Sequence, residues 1–138
     1  MKSYAVVDTN VILSGLWSRN RQSPPVAILQ EIVGGRVIPL YCEAIFLEYD
    51  DVLHRPKFHL PEPAIATVFR AIRKYGISVE PVATDEQFPD PDDRIFFETA
   101  LAWQGHQAYL VTGNTRHFPQ KPFVVTPAEM VAILGVHE

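Results

Sequence analysis

Short apolar runs separated by stretches of helical period constrain this chain more than any other feature. The runs are Ala5-Val6-Val7, Val37-Ile38-Pro39-Leu40, Ile77 to Val82, Ala108-Tyr109-Leu110-Val111-Thr112 and Phe123-Val124-Val125. Ala5 to Val7 has no polar interruption, which suits a central strand covered on both faces by helices. Between the runs, Val26, Ile28, Leu29, Ile32 and Val33 recur at helical spacing, as do Ile45, Phe46, Tyr49, Val52 and Leu53, and again Ile65, Val68, Phe69 and Ile72. The order reads strand, helices, strand, helices, strand, helix, strand, strand, helix. Such alternation predicts an α/β protein, a three-layer α/β/α sandwich with a mainly parallel central sheet.

Punctuation residues mark the boundaries. Ser23 before Pro24 and Pro25 reads as an N-cap with proline in the first turn, and Gly34-Gly35 stops that helix. Pro61-Glu62-Pro63 opens a helix for which Gly76 is a natural stop. Asp90 as N-cap and Pro91 at the first position start a helix through Trp103, closed by Gly105. Gly113 allows a sharp turn that brings Asn114 over the end of the fourth strand. Thr126-Pro127-Ala128-Glu129 matches a capping box and starts a last helix through Leu134.

At 138 residues the chain is expected to form one domain over residues 1–138 with a core of its own. A single cysteine, Cys42, excludes an internal disulfide and a cysteine-based zinc site, and points to a cytoplasmic home. No stretch reaches the roughly 20 apolar residues that cross a bilayer, so neither a membrane segment nor a signal peptide is expected. The net charge of −4 argues against a protein that coats nucleic acid non-specifically. It permits an acidic site with basic patches around it.

Polar residues collect where the strands run out. Asp8 ends the first strand, and in open α/β sheets ligands sit in the crevice beyond the carboxyl ends of the strands. Asp8, Thr9 and Asn10 are also residues that cap a turn with their side chains. Thr112-Gly113-Asn114-Thr115 ends the fourth strand on the same edge. The helix that runs up to that strand begins with Asp90, Asp92 and Asp93; capping and the helix dipole explain part of this cluster, but three aspartates exceed what one cap needs. Glu48 reaches the crevice if its helix packs beside the first strand, and otherwise is solvated surface. The residues thus converge on a cluster of carboxylates with an amide.

Several of these motifs together resemble PIN-domain proteins of the kind assigned as toxin components of toxin–antitoxin pairs. They are Val7-Asp8-Thr9-Asn10-Val11, the run from Glu48-Tyr49-Asp50-Asp51-Val52-Leu53 through His54-Arg55-Pro56-Lys57-Phe58, Asp90-Pro91-Asp92-Asp93, Leu110-Val111-Thr112-Gly113-Asn114, His117-Phe118-Pro119 and Val125-Thr126-Pro127. The resemblance runs nearly end to end. It implies an α/β/α fold and acidic residues that hold Mg²⁺ or Mn²⁺ for hydrolysis of RNA phosphodiester bonds. By motif position the metal-holding acids are Asp8, Glu48 and Asp93. The fourth position, often an aspartate, is Asn114, which lowers the negative charge of the site and puts a second metal in doubt. Asn10, Asp90, Asp92 and Thr112 are supporting candidates. An antitoxin protein partner and a homodimer are further implications of the resemblance.

Hard divalent cations prefer oxygen ligands, and crowded carboxylates repel one another until a cation or protons neutralise them. The candidate contacts for an RNA substrate are Arg19, Arg21, Arg55, Lys57, Arg94, Arg116 and Lys121. Single-stranded regions are the expected targets, because their bases are open to reading and stacking. Trp17 and Phe58 are aromatic candidates for stacking, although Phe58 suits core packing better. His54, His106 and His117 are expected to be structural or surface groups.

Two alternatives stand beside this reading. A phosphatase of the haloacid dehalogenase type also begins with an aspartate after its first strand, but it wants a second one two positions on, where this chain has Asn10, and a lysine near a late acidic motif. The other is a catalytically weak PIN domain acting as an RNA-binding or protein-interaction module, which Asn114 and the acidic net charge favour.

Overall fold

The computed structural model describes residues 2–136. Its elements are β1 (Ser3–Val7), α1 (Thr9–Trp17), α2 (Pro24–Val33), β2 (Val37–Tyr41), α3 (Glu43–Leu53), α4 (Glu62–Tyr75), β3 (Ile77–Ser78), α5 (Arg94–Leu101), β4 (Tyr109–Val111), β5 (Val124–Val125) and α6 (Pro127–Val136). The strands form one five-stranded sheet in the order β3-β2-β1-β4-β5, and every pairing in it is parallel. Successive residues of a strand point to opposite faces. Ala5, Val6 and Val7 are each no more than 1% exposed, so both faces of β1 are covered, as the uninterrupted apolar run predicts. The architecture is the expected α/β/α sandwich.

From β1 the chain builds outward through β2 and β3, then returns to place β4 on the other side of β1 and β5 beyond it. The strand order therefore reverses between β1 and β4, the switch point beyond whose carboxyl ends ligands sit in open α/β sheets. Register puts the two ends level, with Val7 opposite Val111, so Asp8 and Thr112 leave the sheet side by side.

Two local features depart from the expectations. The third strand is two residues long and does not extend to Val82. Its partner β2 gives way to α3 after Tyr41; the amide of Val79 still donates to the Tyr41 carbonyl at 2.7 Å, but beyond it Pro81 has no amide to offer and no strand faces it. The helix expected from Asp90 is divided. Pro91–Asp93 forms a 3₁₀ turn, capped by Asp90 Oδ1, which accepts the Asp92 amide at 2.9 Å, and α5 proper begins at Arg94. It ends at Leu101, short of Gly105, and Gln107 supplies the left-handed residue (φ 58°) that the expectation gave to glycine.

Gly76 does terminate α4, but in extended backbone (φ −73°), so conformational freedom is not its role. A Cβ there would lie 2.3 Å from the Ile72 carbonyl oxygen and 2.8 Å from that of Pro39, so glycine is required by close approach of the chain to β2. The capping box at Thr126 forms as expected: the Glu129 amide donates to Thr126 Oγ1 at 3.1 Å and the Thr126 amide to Glu129 Oε1 at 2.8 Å. Among the described residues no helix is long and apolar enough to cross a membrane.

Candidate active site

Asp8 follows β1 at the N-cap position of α1, yet its carboxylate makes no capping hydrogen bond. It accepts instead from the neighbouring strand end, where the Thr112 hydroxyl donates to Asp8 Oδ2 at 2.8 Å. The Asp8 amide donates to the Val111 carbonyl at 2.9 Å, so backbone and side chain both tie the end of β1 to β4. Asp8 and Thr112 are buried. Burial pushes the Asp8 carboxyl above its ordinary value; the Thr112 hydroxyl, the amides of Thr9 and Asn10, and the nearby His117 pull against it.

Glu48 reaches the same crevice from α3, half-buried, and accepts a short hydrogen bond from the Thr9 hydroxyl. Its neighbour Tyr49 is buried and donates its hydroxyl to the Val7 carbonyl, anchoring α3 to the last residue of β1. That anchor brings Glu48 near enough for the charge of Asp8 to be felt there. Burial raises the Glu48 carboxyl, the Thr9 hydroxyl lowers it, and the charges of Asp8, Asp92 and Asp90 raise it further.

Asp93 closes the 3₁₀ turn before α5 and is pushed up to about 6, first by burial, then by the charges of Asp8 and Asp90, with Glu48 adding and His117 opposing. Its Oδ2 lies 3.6 Å from His117 Nδ1. Asp90 and Asp92 are exposed on the same turn, near enough for their charges to be felt at Glu48.

Asn114 stands at the mouth of the cluster with its side chain exposed. Its amide donates to Thr112 Oγ1 at 3.0 Å, and its carbonyl accepts from the His117 amide at 2.9 Å. The turn after β4 is thus made by the Thr112 hydroxyl and not by a left-handed Gly113, since the one glycine with positive φ among the described residues is Gly35. Asn10 is exposed on the first turn of α1.

Three contributors escaped the sequence reading: Thr9, Tyr49 and His117. Each lies inside one of the motifs quoted above, but nothing local says that Thr9 bonds a residue 39 positions away or that Tyr49 bonds one 42 away. His117 is a surface group, as expected, and its Nδ1 also lies 3.6 Å from Asp93 Oδ2. Its companions likewise behave as expected: His106 packs against Tyr4 and Trp103, and exposed His54 bridges the Asp50 carbonyl and Glu62.

The basic candidates divide. Arg19, Arg21 and Arg116 are exposed, Arg55 pairs with Asp51 at 3.0 Å, and the Lys57 ammonium lies 5.1 Å from the centre of the Phe58 ring. Arg94 is turned to internal use. Its guanidinium donates to the carbonyls of Thr84 at 2.8 Å and Glu86 at 3.0 Å and lies 4.8 Å from the Phe88 ring, so it holds the irregular segment before α5 in place. Lys121 pairs with Glu86 at 2.9 Å.

Carboxylates are the donors that hard cations prefer, and all three here are raised, each by burial first, with neighbouring acids adding at Glu48 and Asp93. Among the described residues no group of three or more His, Cys, Asp and Glu side chains is placed to hold a metal ion.

A parallel α/β/α sandwich with buried and half-buried carboxylates at its switch point defines a class of domain with an acidic crevice. The chain belongs to the PIN-domain family, whose family model, the PIN domain, matches residues 4–116, a span that includes Asp8, Glu48, Asp93 and Asn114. This is a nuclease-type fold, and the match is not to phosphatases of the haloacid dehalogenase type. Neither a curated protein nor a solved structure matches the chain.

Proposed function

We propose that this protein is a metal-dependent endoribonuclease that hydrolyses RNA phosphodiester bonds, with Asp8, Glu48 and Asp93 as the carboxylates that hold Mg²⁺ or Mn²⁺. The observation that carries the reading is the approach of acids from separate segments of the chain: the Asp93 carboxyl is pushed up to about 6, first by burial and then by the charges of Asp8 and Asp90, with Glu48 adding. Evolving such a cluster for stability alone makes little physical sense, because the acids oppose one another.

A cation bound there supplies Lewis acidity toward water and the phosphate and offsets the charge that builds during displacement. The chain's own residues orient the site. Thr112 holds Asp8 Oδ2 in place. Thr9 orients Glu48, and Tyr49 fixes the helix that carries it. His117, with Nδ1 3.6 Å from Asp93 Oδ2, offers that carboxylate an opposite charge when protonated. Asn114 presents a neutral amide, able to bond a phosphate oxygen or water without adding charge.

The test is cleavage of defined single-stranded RNAs with Mn²⁺ by wild type and by Asp8→Asn prepared identically, which excludes a contaminating nuclease. Cleavage by wild type alone supports the proposal; equal cleavage by both sinks it. The partners follow from the same reading: a homodimer, and an antitoxin protein that restrains the nuclease as a toxin in the cytoplasm. A sedimentation mass of one chain at micromolar concentration would remove the dimer.

The exposed, uncharged Asn114 favours a second reading, a catalytically weak PIN domain that binds RNA or protein. Metal-independent RNA binding, undiminished in Asp8→Asn, would support it.

A further inference from the structure

Trp17 ends α1 with 58% of its surface exposed, among the most exposed large apolar side chains of the protein. It is not loose. The Phe58 ring stands against it at 78°, centroids 5.4 Å apart, which restricts the indole while leaving much of it open to solvent. Cations flank this pair along the chain: exposed Arg19 and Arg21 follow Trp17 in the connection to α2, and exposed Arg55 and Lys57 precede Phe58, with Lys57 over its ring. In a chain of net charge −4 this is a local reversal of sign, tempered by Asp51, which pairs with Arg55.

Its position relative to the acids follows from two contacts. Thr9 at the start of α1 bonds Glu48 within α3, and Trp17 at the end of α1 meets Phe58 just beyond α3, so the two helices run side by side from the carboxylates to the aromatic corner. On α1 the exposed residues Asn10, Ser14 and Trp17 recur at helical spacing, a single stripe that starts beside Asp8. At 1.5 Å per residue that stripe is about 10 Å long, a reach that a short stretch of single strand covers.

We propose that Trp17, braced by Phe58 and flanked by Arg19, Arg21 and Lys57, is a stacking subsite for an unpaired base of the RNA strand whose phosphate sits at Asp8, Glu48 and Asp93. The inference rests on the RNA-cleaving reading above and adds where the strand runs. An open indole takes any base on its face, and the cations accept the flanking phosphates. Duplex RNA keeps its bases stacked inside and has none to give to Trp17.

The test is fluorescence anisotropy of a short fluorescein-labelled oligouridylate with the full chain in chelator, where nothing is cut. Trp17→Ala is expected to weaken binding about ten- to a hundredfold, and Trp17→Phe to keep most of it. Replacing Arg19, Arg21 and Lys57 with Gln should flatten the dependence of affinity on salt. A labelled duplex should be indifferent to Trp17→Ala. Because Trp17 is exposed, its variants should melt with wild type, and the melt is recorded for each. Wild-type affinity in Trp17→Ala, no binding of the probe by wild type, or a change in sedimentation mass without a change in RNA affinity would each overturn the subsite, the last by making this corner a protein contact. A chain that binds through Trp17 but cuts nothing with Mn²⁺ would leave the subsite standing and sink the nuclease reading. Metal-dependent cleavage with RNA affinity untouched by Trp17→Ala would do the reverse.

Discussion

The Thr112 hydroxyl donates to Asp8 Oδ2 at 2.8 Å across 104 positions of sequence, and its oxygen accepts the Asn114 amide at 3.0 Å. One hydroxyl thereby fixes the carboxylate beyond β1 and the turn beyond β4, the two strand ends that flank the crevice.

Thr112→Val keeps the shape and removes the donor. Asp8 is then buried with one hydrogen bond fewer, a loss of about 1–3 kcal/mol at neutral pH, and its carboxyl rises further because Thr112 holds it down. Urea denaturation should show the loss, and Thr112→Ser should recover most of it. Equal midpoints for wild type and Thr112→Val would mean that the bond contributes nothing.

Asp8→Asn, Asp93→Asn and Glu48→Gln should each abolish most Mn²⁺-dependent cleavage of RNA while leaving the fold intact. Should all three variants cut at the wild-type rate, the assigned site is wrong.

Metal-free stability should fall as pH rises toward neutral. The folded Asp93 carboxyl, at about 6, lies above its ordinary 3.8, so the folded protein binds a proton that the unfolded chain has released. The stabilisation is complete below 3.8 and lost as pH passes through about 6; raised Asp8 and Glu48 act in the same direction. Asp93→Asn should flatten this decline in chelator, and parallel pH profiles for the two proteins would contradict the linkage.

Asp8→Asn should melt above wild type in chelator. Burial of the charge is what strains Asp8, and the neutral amide removes that cost without changing shape. Relief of about 1 kcal/mol corresponds to roughly 2–8 °C. Mn²⁺ should raise the wild-type midpoint by binding the folded state and narrow or reverse the difference. A variant less stable in chelator, with wild-type response to Mn²⁺, would make Asp8 a structural residue.

Arg94→Gln should loosen the segment before α5. It releases the carbonyls of Thr84 and Glu86 and uncovers Phe88, a loss of about 1–3 kcal/mol. Hydrogen exchange of the amides between Val82 and Phe88 should speed up, while an unchanged rate would show that other contacts hold the segment.

Local pattern determined much of this protein. The uninterrupted run before Asp8 specified a strand covered on both faces, and the capping box at Thr126 and Glu129 formed as written, because runs, caps and turn residues act over a few positions. The edge on which Asp8 and Thr112 meet also followed, since parallel connections bring all carboxyl ends to one side.

Tertiary structure decided how each group is used. Asp8 reads equally well as a cap, and only the pairing of β1 with β4 gives its carboxylate to Thr112. Arg94 reads as a free cation until the segment before it folds back and presents its carbonyls. The short β3 reflects the early end of its partner, and the bond of Thr9 to Glu48 and the approach of His117 to Asp93 join elements that meet only when the sheet is complete. The physical reason is common to all of them: a side chain's hydrogen-bonding capacity is written in its chemistry, but which partner satisfies it depends on which distant backbone arrives within about 3 Å.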